Sequence, residues 1–68
     1  MNITLNGVGA TVADGARLLD ALATIGISAD EPGVAVAVSG SIVRRADWAT
    51  ADLSEGDRVE VVTAAQGG

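Results

Sequence analysis

The chain has 68 residues, with nine acidic residues against four arginines, a net charge of −5, and neither cysteine nor histidine. That composition excludes disulfide staples and thiolate-bound metal, and it removes the side chain that most often serves as a zinc ligand or neutral-pH base. An apolar share of 49% excludes a disordered chain, and the acidic balance argues against nucleic acid, whose phosphates are met by clustered Lys and Arg.

The length allows one domain, and a domain this small buries only about 60% of its unfolded-chain surface, so its core must be thin. No stretch approaches the roughly 18 apolar residues of a membrane span. Met1-Asn2-Ile3-Thr4 lacks a basic region followed by an apolar run, so no secretory signal is expected and the cytoplasm is the expected compartment.

In chain order, Ile3 and Leu5 alternate with Asn2 and Thr4, which predicts a strand with one buried face. Asn6-Gly7 is a hairpin signal, because both turn residues need positive φ. A second strand is predicted over about Val8 to Ala13, with Val12 inward. From Arg17 to Ile25 the period changes: Leu18, Leu19, Leu22 and Ile25 fall on one helical stripe, with Gly26 as the left-handed stop. Asp14 is the expected cap, and Arg17 near the helix start opposes the helix dipole.

Ser28 to Gly33 reads as loop, with Pro32 holding Glu31 extended. Val34, Val36 and Val38 alternate with Ala35 and Ala37 in a third strand, Ser39-Gly40 turns the chain, and Ser41 to Arg44 gives a short fourth strand. Ala46 to Leu53 is expected to be irregular, with Trp48 as a lid over the core edge. After a turn at Glu55-Gly56-Asp57, Arg58 to Thr63 forms the fifth strand, Val59 and Val61 facing one way and Arg58, Glu60 and Val62 the other. The predicted order β-β-α-β-β-β implies an α+β fold: a mixed sheet with one helix across one face. Residues 1–63 are expected to form the folded domain and 64–68 a flexible tail.

The catalytic inventory is nearly empty. Lys and Tyr are absent as well, so Ser28, Ser39, Ser41 and Ser54 have no His or Lys to activate them. Asp47, Asp52, Glu55 and Asp57 lie in turn-like segments where solvated carboxylates are expected, and no lysine is present to complete a Walker loop. An enzyme in its own right is not expected, and no metal site is predicted. What remains is Ala64-Ala65-Gln66-Gly67-Gly68, narrow enough to thread a channel. Its two glycines allow close backbone approach to a catalytic centre, and its terminal carboxylate is ionised at neutral pH and usable as a nucleophile.

The chain resembles the ThiS family, the small ubiquitin-like sulfur carriers of thiamine biosynthesis, over essentially its whole length. The resemblance rests on Val34-Ala35-Val36-Ala37-Val38, Val43-Arg44-Arg45-Ala46-Asp47-Trp48, Glu55-Gly56-Asp57-Arg58-Val59-Glu60 and Gln66-Gly67-Gly68, in that order and spacing. Ser39-Gly40 stands where the family more often has Asn-Gly, and Arg17 at the helix start is atypical.

The resemblance implies a β-grasp fold with the first and last strands side by side and parallel. It also implies that an adenylyltransferase binds the domain and uses MgATP to adenylate Gly68, with Gln66 and Gly67 drawn into its active site. A persulfide donor such as a cysteine desulfurase then leaves a thiocarboxylate on Gly68, and a thiazole synthase takes the sulfur. No permanently bound cofactor and no membrane or nucleic-acid partner is implied, and the free carrier is expected to be a monomer. Ala35, Ala37 and Val62, flanked by Arg58 and Glu60, form the candidate docking face. Alternatives are a sulfur carrier for molybdopterin or another pathway, a ubiquitin-like modifier, and a binding module in which the diglycine is incidental.

Overall fold

Ile3 and Leu5 are both buried in β1 (Asn2–Leu5). Asn6 and Gly7 then take φ of 50° and 83°, the two positive values that a tight hairpin turn requires. The chain returns antiparallel as β2 (Val8–Thr11), with Leu5 opposite Val8 and Asn2 opposite Thr11. The computed structural model describes residues 1–64. β2 is shorter than the expected Val8–Ala13, although Val12 continues the pairing, its N–H donating to the Met1 carbonyl at 2.9 Å and its carbonyl accepting from the terminal ammonium at 2.6 Å. Val12 also packs against the core.

The helix α1 (Leu18–Ala23) is also shorter than its apolar stripe. Leu18, Ala21 and Leu22 are fully buried and Leu19 packs beside them, but Ile25 is exposed, a correction to the expected stripe. The reason is the helix end. The Ile27 N–H donates to the Leu22 carbonyl at 3.0 Å and the Gly26 N–H to Ala23 at 3.1 Å, with Gly26 at φ 80°. This Schellman pattern turns Ile27, rather than Ile25, back onto the core.

Asp14 is not the cap either. Arg17 holds that position, and its own N–H donates to Asp20 Oδ2 at 2.8 Å. The next donors find partners outside the helix, Leu18 N–H on the Ala51 carbonyl and Leu19 N–H on the Trp48 carbonyl, both at 2.9 Å. All the first-turn donors are thereby satisfied, since Asp20 and Ala21 donate to the Arg17 carbonyl.

β3 (Val34–Val38) and β4 (Ser41–Val43) form a second hairpin through Ser39 and Gly40, at φ 47° and 89°. A 3-10 turn, Arg45–Asp47, follows within the segment expected to be irregular. β5 (Arg58–Thr63) then runs between β1 and β3, giving the sheet order β2-β1-β5-β3-β4. β5 is parallel to β1, with Thr4 opposite Arg58, and antiparallel to β3. A mixed five-stranded sheet with one helix across one face is the β-grasp fold.

The core lies between α1 and the sheet and contains Ile3, Leu5, Leu18, Leu22, Val36, Leu53 and Val59. Trp48, expected as a lid over the core edge, is 1% exposed and packs with this cluster. Its indole Nε1–H donates to the Val43 carbonyl at 3.0 Å, so the one polar atom it brings inside is satisfied. The Arg45 guanidinium closes over the ring at 4.5 Å from the centroid. Trp48→Phe removes that hydrogen bond and part of the filling volume; we expect a loss of about 1–3 kcal/mol of stability, measured by urea unfolding followed by far-UV circular dichroism.

Candidate functional site

Gln66, Gly67 and Gly68, the residues on which the sequence reading places the chemistry, lie outside the described residues. The structure shows their root. β5 is the central strand of the sheet, and its last paired residue, Thr63, faces Val34 of β3. Ala64 follows, its N–H donating to the Gly33 carbonyl at 2.6 Å. The described chain therefore ends in the middle of the sheet rather than at an edge.

The alternation of β5 buries Val59 and half-buries Val61 on the helix side, and turns Arg58, Glu60 and Val62 to the open face. The register places Ala35 opposite Val62 and Ala37 opposite Glu60. Four of the five residues expected in the docking face, Ala35, Ala37, Glu60 and Val62, thus line one shallow apolar depression together with Ile42. Arg58 shares the face but lines the neighbouring depression with Thr4, Asn6 and Gly7.

Sequence reasoning missed Ile42, which at 82% exposure is the most exposed of the large apolar side chains named here. The signal was present: in Ser41-Ile42-Val43 adjacent apolar residues must face opposite ways, and Val43 packs inward. Asn6 was read only as a turn residue. Its carboxamide also reaches β5, where Oδ1 accepts the Val61 N–H at 2.7 Å and Nδ2 donates to the Val61 carbonyl at 3.2 Å.

The four carboxylates expected to be merely solvated are engaged with their surroundings. Asp57 Oδ2 accepts the Ser54 N–H at 2.7 Å, and Oδ1 accepts the Ser39 hydroxyl at 3.1 Å. The same hydroxyl accepts the Arg58 N–H at 3.2 Å, tying the β3–β4 turn to the start of β5. Glu55 Oε1 accepts the Asn2 N–H at 3.0 Å. Asp52 pairs with Arg17 at 2.7 Å and Asp47 with Arg44 at 3.5 Å. These contacts are structural clasps and ion pairs.

Asp30, in the loop before β3, accepts the Ser28 hydroxyl at 2.8 Å, which holds its carboxyl below the ordinary value; a backbone hydrogen bond and Arg45 act in the same direction. Among the described residues there is no cluster of three or more His, Cys, Asp or Glu able to hold a metal, and no helix is long and apolar enough to cross a membrane.

Comparison with known proteins gives this arrangement its context. The ThiS family profile matches residues 3–68. The chain belongs to the ThiS family. The crystal structure of a thiamine biosynthesis protein (ThiS) from Geobacter metallireducens matches at 28% identity and a TM-score of 0.79, covering all of both chains. A solution structure of a thiamine biosynthesis protein from the same organism matches at 28% identity and a TM-score of 0.76, covering 100% of this chain and 88% of that one. Comparison with curated protein sequences gives no match. Membership in ThiS, a family of small sulfur carriers rather than catalysts, supports a sulfur-carrier role.

The two faces of the sheet should respond differently to truncation. Val62→Ser, on the open ThiS face, should change stability by less than about 0.5 kcal/mol, whereas Leu22→Ala on the core side should cost about 2–5 kcal/mol; thermal melts of the two variants check this.

Proposed function

We propose that this ThiS-family chain is the sulfur carrier of thiazole formation in thiamine biosynthesis and that Gly68 is its acceptor residue. The observation that carries the reading is the family match itself, which runs through Gln66-Gly67-Gly68 and not only over the folded body. Both solved neighbours being thiamine biosynthesis proteins favours thiazole over another destination for the sulfur.

In this reading the Gly68 carboxylate attacks the α-phosphorus of ATP on a ubiquitin-activating-like adenylyltransferase. A new O–P bond forms, the bond to the β-phosphate oxygen breaks, and pyrophosphate leaves. Magnesium on the partner offsets the repulsion between carboxylate and polyphosphate. The terminal sulfur of a cysteine persulfide then attacks the acyl carbon and AMP departs; a thiol cleaves the resulting S–S bond, leaving a thiocarboxylate on Gly68. A thiazole synthase takes up that sulfur.

The chain lacks His, Cys, Lys and Tyr, so general acid–base and thiol chemistry are assigned to the partners, and this protein is a co-substrate rather than a catalyst. The shallow face of Ala35, Ala37, Ile42 and Val62 is the surface that the partners grip, with Arg58 and Glu60 giving it polar flanks. The net charge of −5 speeds encounter with partners whose docking surfaces are basic.

Incubation with ATP, Mg²⁺, a ThiS-activating adenylyltransferase and hydrosulfide should exchange one oxygen for one sulfur, and tandem mass spectrometry should place the change on Gly68. Retention of the unmodified mass, under conditions that load another ThiS carrier, would overturn the proposal. Adding one residue after Gly68 should abolish loading while leaving the melting curve unchanged.

A further inference from the structure

β1 ends at Leu5, opposite Val59, while β5 continues for four more residues. The last backbone bond across this seam is the Asn6 N–H to the Val59 carbonyl, at 2.9 Å. The chain then turns away at Gly7, which would leave the β1-facing edge of β5 bare from Val61 onward. The Asn6 side chain fills the next step. A carboxamide presents an acceptor and a donor side by side, as a peptide group does. By bonding both the N–H and the carbonyl of Val61, Asn6 adds one rung to the parallel ladder from a side chain.

On its other edge β5 stays paired with β3 as far as Thr63, and Ala64 bonds Gly33. Val61 is therefore the point nearest Gly68 at which the described residues hold β5 from both sides. Gly68 lies seven positions beyond Val61. A misplacement of about 1 Å at a reacting atom is already costly, so the direction in which the chain leaves the sheet matters to the partner.

We propose that Asn6 is a positioning residue for the reaction at Gly68: its two-point clamp on Val61 sets the direction in which β5 delivers residues 65–68 to the activating partner. The inference rests on the sulfur-carrier reading above. Asn6 is exposed, so water can replace its hydrogen bonds when they are lost. Its contribution therefore lies in orientation, and the partner must select the correct direction from a wider spread once the clamp is gone. That selection precedes chemistry and falls on KM for the carrier rather than on kcat.

The test compares the wild-type chain with Asn6→Gly and Asn6→Asp in pyrophosphate release by the adenylyltransferase, well below the melting temperature, alongside amide exchange at Val61. Both substitutions tolerate the positive φ at this position. Asn6→Gly should raise KM about 3- to 10-fold with kcat within about twofold, and Val61 exchange should accelerate while Val36 stays protected. Asn6→Asp keeps the acceptor but sets a second anionic oxygen against the Val61 carbonyl, and should raise KM by an intermediate factor; should Asn6→Gly fail to fold, this variant decides the question.

Trp48→Phe, destabilised in the core, should retain the wild-type KM, which separates positioning from general loss of stability. Wild-type KM in Asn6→Gly, with Val61 deprotected, overturns the positioning role and leaves the carrier reading intact. Absence of pyrophosphate release from the wild type, with an enzyme that activates another ThiS carrier, overturns the carrier reading and this inference with it.

Discussion

A helix of six residues cannot stand alone in water, because nucleation is unfavourable and even good sequences are marginal below about 12–15 residues. α1 stands because residues 45–53 meet two needs at once. The carbonyls of Trp48 and Ala51 accept its first free donors, and the Trp48 indole sits in the same core as Leu18 and Leu22. Removing that segment would leave N–H groups without partners and the apolar stripe without part of its packing. The Arg17–Asp52 ion pair joins the same two segments but is exposed, so it contributes little beside the backbone bonds it accompanies.

With one helix available, only one face of the sheet can be covered, and this constraint shapes the rest of the surface. The open face carries small or singly exposed apolar groups, Ala35, Ala37, Ile42 and Val62, close to the strand that leads toward Gly68. The edge strands β2 and β4 have four and three residues, short enough to offer little template for edge-to-edge pairing. The central position of β5 gives the opposite property: β3 pairs along it to Thr63, and β1 holds its first two residues from the other side.

The strand alternations of β1, β3 and β5 and both hairpin turns were legible in the sequence, because period-2 burial and paired positive φ leave local marks. Helix ends were less legible. Asp14 was a reasonable cap by residue type, but the donors were met by carbonyls more than twenty residues away, which no local pattern encodes. Ile25 continued the stripe on paper, yet the stop at Gly26 brings Ile27 onto the core and leaves Ile25 exposed. Alternation alone placed Ala35, Ala37, Glu60 and Val62 on one sheet face, where the register also puts them; Arg58 lines the neighbouring depression, and Ile42 was missed although the inward packing of Val43 fixes its direction. The second role of Asn6 was invisible, because the turn signal already accounted for the residue and its bonds to Val61 span 55 positions.

The polar side chains around β5 share a common use. Ser39 receives the Arg58 N–H at the strand's start, Asp57 holds Ser39 and Ser54, Glu55 holds Asn2 beside them, and Asn6 takes both groups of Val61 near the strand's end. A larger sheet could hold a central strand with longer neighbours, but here β1 stops at Leu5 and leaves backbone groups that its main chain cannot reach. Side chains that mimic a peptide group extend the seam without lengthening the neighbouring strand. The rigidity of β5 therefore depends on a few exposed hydrogen bonds as well as on the core, and these can be removed one at a time without dismantling the fold.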